Sequence, residues 1–132
     1  MGEKLNLKWK TFPDLLVGAF KEIGTHRHFA DVNLVSDDQT QILAHKVLLS
    51  ACSPVMKTLL VNNPHSYPLI YFRGIKHEEL QGIVNFMYFG FAEVSSERID
   101  TFFSVAKDFE LNLMTGNDKK PKYQHKIQIR IK

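Results

Sequence analysis

The sequence predicts an α+β domain, a small mixed sheet flanked by helices, and three stretches carry that reading. Ala30-Asp31-Val32-Asn33-Leu34-Val35 alternates polar and apolar residues as a half-buried strand does, and Thr40-Gln41-Ile42-Leu43-Ala44 returns as its partner across Asp37-Asp38-Gln39. Behind this hairpin, His45-Lys46-Val47-Leu48-Leu49-Ser50-Ala51-Cys52 is apolar and helix-tolerant, and Ser53-Pro54 restarts a helix with a capping hydroxyl followed by proline at the first helical position. Further on, Leu80, Ile83, Val84 and Met87 fall at i, i+3, i+4 and i+7, the stripe of a helix facing a core.

Length and composition bound the rest. The 132 residues suit one domain, since chains of this size bury about two-thirds of their unfolded surface. Cys52 is the single cysteine, which forbids an intramolecular disulfide and fits a reducing compartment. No apolar run approaches the ~20 residues that span a bilayer, and Met1-Gly2-Glu3-Lys4 leads into no signal-peptide core. The expectation is a soluble intracellular protein with no membrane partner. Met1-Gly2 invites an N-myristoylation reading, but that motif wants Ser or Thr where Asn6 stands. The net charge of +3 is unevenly placed: residues 1–114 hold 11 Lys/Arg against 13 Asp/Glu, whereas 115–132 hold 6 against Asp118 alone. The body is therefore no nucleic-acid footprint, and only the basic tail has a weak, salt-sensitive attraction to nucleic acid to offer.

Taken in order, Leu5-Asn6-Leu7-Lys8-Trp9 alternates with period two, yet nothing in the next twenty residues pairs with it as a hairpin. Thr11 is placed to cap a helix, with Pro13 in the first turn and Asp14 at the favourable end of the dipole. Phe12, Leu15, Leu16, Ala19, Phe20 and Ile23 form a wide apolar face, and Gly24 ends the run, giving a helix over 11–24. Each large apolar side chain left in water forfeits roughly 1.5–3 kcal/mol, so an orphan strand followed by so wide a face asks for a covering partner.

After the hairpin, Val55, Met56, Leu59 and Leu60 line one side of the capped helix, Asn62–Ser66 is a loop, and Pro68–Phe72 is a strand ended by Gly74. Glu78-Glu79 open the next helix with negative charge at its N-terminus, and Phe86-Met87-Tyr88-Phe89-Gly90 closes it. Ser95 is placed to cap the last helix, with Val94 and Ile99 stapled across it and Ile99, Phe102, Phe103, Ala106 and Phe109 on its apolar face. Leu111 and Leu113-Met114 close the domain at 114. Residues 115–132 are a basic tail or linker, in which Lys126–Lys132 alternates strictly and reads either as an added edge strand or as a solvated segment.

No chemistry of an enzyme stands out. Of six histidines only His26 and His28 are close, no second cysteine exists, and no His pair sits at i, i+4, so no metal is expected. A thiol triad of Asp31, His45 and Cys52 lacks an oxyanion feature, and Cys52 sits in an apolar run where an inert thiol is the ordinary outcome. The seven glycines form no phosphate loop, and no cofactor is expected. Asp31 and Lys46, opposite in sign, are placed to pair near the surface.

Asp31-Val32 followed by Ala44-His45-Lys46-Val47-Leu48-Leu49-Ser50-Ala51-Cys52-Ser53-Pro54 resembles the signature of the BTB/POZ family, a likeness that extends over roughly residues 5–113. The opening Leu5-Asn6-Leu7-Lys8-Trp9-Lys10-Thr11-Phe12 is similar to that of the tramtrack-type arthropod subgroup, with Leu5 in place of an aromatic and Lys10 in place of Asn. Val55 and Met56 stand where the family often has aromatics, and Phe91 where a Glu usually follows the glycine.

The resemblance implies a homodimerisation domain whose N-terminal strand, 5–9, exchanges onto a partner and whose helix, 11–24, packs against its copy. Leu5, Leu7, Trp9, Phe12, Leu15, Leu16, Ala19 and Phe20 would be the dimer interface, with Asp31 and Lys46 in a charged pocket beneath it. It further implies a nuclear regulator of transcription or chromatin that self-associates, in dimers or higher multimers, and recruits co-regulator proteins. Other branches of the family serve instead as substrate receptors for cullin-type ubiquitin ligases, usually with further helices where this chain has the polar residues 115–132.

Overall fold

The computed structural model describes residues 2–111 and the backbone of residues 128–131. The elements run α1 (Phe12–His26), β1 (Val32–Val35), β2 (Gln41–Ala44), α2 (Lys46–Cys52), α3 (Pro54–Asn62), β3 (Leu69–Arg73), α4 (His77–Phe89), a 3₁₀ turn (Ser96–Arg98), α5 (Ile99–Asp108) and β4 (Gln128–Ile131). β1 and β2 form the expected antiparallel hairpin, with Val32 opposite Ala44 and Leu34 opposite Ile42. Because α2 and α3 carry the chain back across the sheet, β3 lies parallel to β1, with Leu34 opposite Ile70. β4 joins the other side of β3 antiparallel, giving the order β2-β1-β3-β4.

The core sits between one sheet face and the helices. Leu34, Ile70 and Phe72 from the strands meet Leu80, Ile83 and Val84 from α4 and Val105 and Phe109 from the end of α5, all at most 2% exposed. The rings of Phe72 and Phe109 lie 5.5 Å apart between centroids. Ser53 does what its sequence context predicts: its hydroxyl accepts from the Met56 amide at 3.2 Å, and it also donates to the Phe109 carbonyl at 2.6 Å. One buried side chain thereby fixes the start of α3 against the end of α5.

Three expectations about helix ends are corrected. Thr11 lies at the α1 boundary but makes no side-chain cap bond; the entry is fastened by backbone, Phe12 N–H to Trp9 C=O at 3.1 Å. Gly24 does not end α1, which runs on to His26 and closes at Arg27 in the left-handed conformation (φ 59°). Ser95 does not cap α5: its hydroxyl donates to Glu78 Oε1 at 3.2 Å, and the chain makes a 3₁₀ turn before Ile99. The acidic start of α4 has more to do than face a dipole, since Glu79 is buried against the guanidinium of Arg98. The cap for α4 comes from the hairpin turn, where Asp38 Oδ1 accepts from the His77 amide at 2.9 Å and from the Ser36 hydroxyl.

Leu111 packs against the core, while Leu113-Met114 and the linker residues after them lie outside the described residues.

Candidate interaction interface

Helix α1 is fastened to the body at one end only. Ile23 packs against the core, and Gly24 is buried where α1 meets α4: a Cβ there would stand 2.9 Å from Tyr88 Cβ and 3.0 Å from Phe89 Cζ. That close approach explains why the helix carries a glycine it does not need as a stop. One turn on, the Arg27 guanidinium lies 4.4 Å over the Tyr88 ring.

Towards its N-terminus α1 leaves the body. Phe12, Leu15, Leu16, Val17 and Phe20 keep 45, 47, 39, 56 and 38% of their surface in solvent, and only Ala19 among the residues from Phe12 to Glu22 is half-buried. The segment before the helix forms no strand within its own chain, and Leu5, Leu7 and Trp9 are exposed at 79, 90 and 61%. Trp9 folds back only as far as Phe12, with ring centroids 5.7 Å apart. All eight residues expected at an interface therefore share one continuous stretch of chain, seven of them exposed and none packed into the core.

Beneath the helix a polar network joins its base to the start of α2. Tyr88 Oη accepts from the His45 amide at 2.9 Å and lies 2.6 Å from His45 Nδ1, while His45 Nε2 lies 2.5 Å from the His28 carbonyl. The tautomer with its proton on Nε2 satisfies all three, the tyrosine hydroxyl donating to Nδ1. Burial pushes the Tyr88 hydroxyl above its ordinary pKa. Both nitrogens of His45 are thus engaged away from Cys52, whose thiol points at the Met87 carbonyl 3.7 Å away and is pushed up by burial. Asp31, His45 and Cys52 do not converge.

Asp31 and Lys46 are brought together, though not as the ion pair their signs suggest. Asp31 Oδ1 accepts from the backbone amide of Lys46 at 2.8 Å, occupying one of the unpaired amides at the N-terminus of α2. The Lys46 ammonium turns the other way, to the carbonyls of His65 and of Ser66, the latter at 3.4 Å. Beside this contact stand two apolar residues that sequence reasoning missed. Phe29 is 93% exposed in the left-handed conformation (φ 66°), and Val47 is 82% exposed on the first turn of α2. A run as uniformly apolar as 45–52 does not say which side of so short a helix faces inward, and nothing around Phe29 marks a bulky residue held at positive φ. Among the described residues no group of three or more His, Cys, Asp or Glu is placed to hold a metal, and no helix is long and apolar enough to cross a membrane.

Residues 20–124 match the family described as BTB/POZ domain. The chain belongs to the BTB/POZ family. Longitudinals lacking protein-like of Drosophila melanogaster is 40% identical over 100 residues, which are 76% of this chain and 78% of that protein. Protein tramtrack, alpha isoform, from the same fly is 32% identical over 120 residues, 90% of this chain but 15% of the relative. Sex determination protein fruitless is 29% identical over 118 residues, 89% of this chain and 12% of the relative. This BTB domain thus spans most of the first relative and a small part of the other two.

Among solved structures, the BTB domain of zebrafish PATZ1 superposes with a TM-score of 0.68 at 17% identity, covering 82% of this chain and 88% of that one. The BTB domain of human gigaxonin gives 0.66 at 24% identity, covering 84% and 91%. Both share the α+β fold described above. The BTB domain is a protein-interaction fold and not an enzyme family, and its members self-associate and bind partners.

Proposed function

We propose that this BTB domain pairs with a second copy of itself through the N-terminal arm and α1, and that it does so within a nuclear regulator of transcription or chromatin. The observation that carries the reading is the uncovered face from Leu5 to Phe20. At roughly 1.5–3 kcal/mol for burying one such side chain completely, covering even the exposed half of Phe12, Leu15, Leu16, Val17 and Phe20 yields several kcal/mol. Phe29 and Val47 are exposed as well, close in sequence to Asp31 and Lys46, which would form the charged pocket at the interface.

The arm needs an edge to pair with, and residues 91–94 supply a candidate. They belong to no helix or strand of their own chain, and their burial alternates, Phe91 and Glu93 exposed, Ala92 and Val94 half-buried. A strand from the other chain laid there would gain backbone hydrogen bonds in both directions across the dimer. Lys10, next to the arm, is the kind of residue that discourages edge-to-edge growth beyond it. The regulatory role rests on the tramtrack-like opening and on the relatives just named, and co-regulator proteins are its further partners.

Light scattering with mass determination tests the pairing. The intact chain should have the mass of two copies, and the double substitution Leu16→Asp/Phe20→Asp the mass of one with its fold retained. A monomeric parent at high concentration would overturn the proposal. Asp31→Asn with Lys46→Gln should weaken the pairing, read as a lower sedimentation coefficient at matched concentration.

A further inference from the structure

Far from α1, the sheet has a second edge whose cover is unusual. β3 is anchored in the core by Ile70 and Phe72, both fully buried, and its inner side pairs with β1. Its other side is met only by β4 among the described residues, in the register Ile70 to Ile131, Tyr71 to Arg130, Phe72 to Ile129 and Arg73 to Gln128. A strand tied to a core but open along one side is a template for any other strand. Here it is covered by four residues that follow α5 only after residues 112–127. Ordering so short a strand offsets much of what its few hydrogen bonds return, so the cover is exchangeable.

We infer that the outer edge of β3 is a strand-docking site, that Gln128–Ile131 is its displaceable cover, and that the occupant kept out is β3 of a second copy. The sequence Leu69-Ile70-Tyr71-Phe72-Arg73 suits pairing with itself. An antiparallel register centred on Tyr71 sets Ile70 against Phe72 and Leu69 against Arg73 across a two-fold axis, keeping both core-facing residues on the same face. Its residues also have the high β-propensity of strands that pair readily. The covering segment is of opposite character in sequence: Lys126, Arg130 and Lys132 make it basic, and basic residues along an edge strand discourage the next addition. This accounts for the basic, alternating tail, which the α1 interface leaves without a task. Tethering gives the cover a high effective concentration, so in the intact chain it outcompetes a second copy.

The test uses the full chain carrying Gln128→Pro and Arg130→Pro, which removes the two amides that the register turns towards β3. Light scattering over a concentration series should show about a twofold rise in mass relative to the parent, the signature of one added isologous contact. A synthetic peptide of residues 123–132 should return the variant to the parental mass, while a scrambled peptide should not. A variant that keeps the parental mass throughout, or whose added mass the peptide fails to reverse, overturns the inference. The parent is the baseline whether it is one chain or two, so failure of the α1 pairing shows in the parent and failure of this inference in the ratio of variant to parent.

Discussion

Helices α1 and α4 carry the same kind of sequence pattern and meet opposite fates. In α4 the stripe Leu80, Ile83, Val84 and Met87 is buried along its whole length, whereas in α1 the stripe Phe12, Leu15, Leu16 and Phe20 stays more than a third exposed. The difference lies in neighbours: α4 touches α1, α2 and α5, while α1 meets the body chiefly through α4 at its C-terminal turns. Periodicity shows that a helix has an apolar side, and only the packing around it shows whether its own chain covers that side. A regular stripe left wet differs from scattered apolar exposure, which lacks such a period, and it is what the proposed pairing rests on.

Substitutions can break or sharpen this contrast. The largest effect belongs to the body: Phe72→Ala, at a fully buried position facing Phe109, should cost about 3–5 kcal/mol in denaturant unfolding. Gly24→Val, at the junction of the two regions, should cost about 1–3 kcal/mol, because the added atoms meet Tyr88 and Phe89 and must push α1 off α4. Smaller again is an acid-range effect at Asp38.

The Ser36 hydroxyl above all, helped by the His77 amide and imidazole, holds the Asp38 carboxyl below its ordinary 3.8. A carboxylate depressed in the folded state contributes stability above that ordinary value and loses it as pH falls through the folded one. Asp38→Asn should therefore flatten the acid limb of stability measured by urea titration at a series of pH values. Smallest is Leu15→Ser on the arm. In chains diluted until they are single, its effect on unfolding should stay within about 0.5 kcal/mol, and a loss like that of Phe72→Ala would erase the contrast.

What was legible in the sequence was what neighbours in the chain decide. The hairpin, the Ser53-Pro54 cap and the α4 stripe each depend on residues a few positions apart, and each stands in the structure as expected. What was not legible depends on residues brought together from afar. Gly24 read as a stop because the approach of Tyr88, which needs a glycine there, joins residues sixty-odd positions apart. Glu79 read as a dipole partner because nothing local announces Arg98. Asp31 and Lys46 were rightly paired by position but wrongly by atom, since the amide left free by the start of α2 outbids the ammonium for the carboxylate. The stretch from Leu5 to Phe20 was readable as apolar, whereas the exposure of Phe29 and Val47 shows only once the fold has placed them.

Fixing α1 by its C-terminal turns has a mechanical result. Such a helix is a cantilever, clamped at Gly24 and unsupported towards Phe12, about 18 Å along its axis. A tilt of about 10° at the clamp would swing the far end through about 3 Å with little disturbance to the body. In the pairing proposed above, two such levers would trim their angle to one another, so that small changes of bulk along this stripe would still find a common seat.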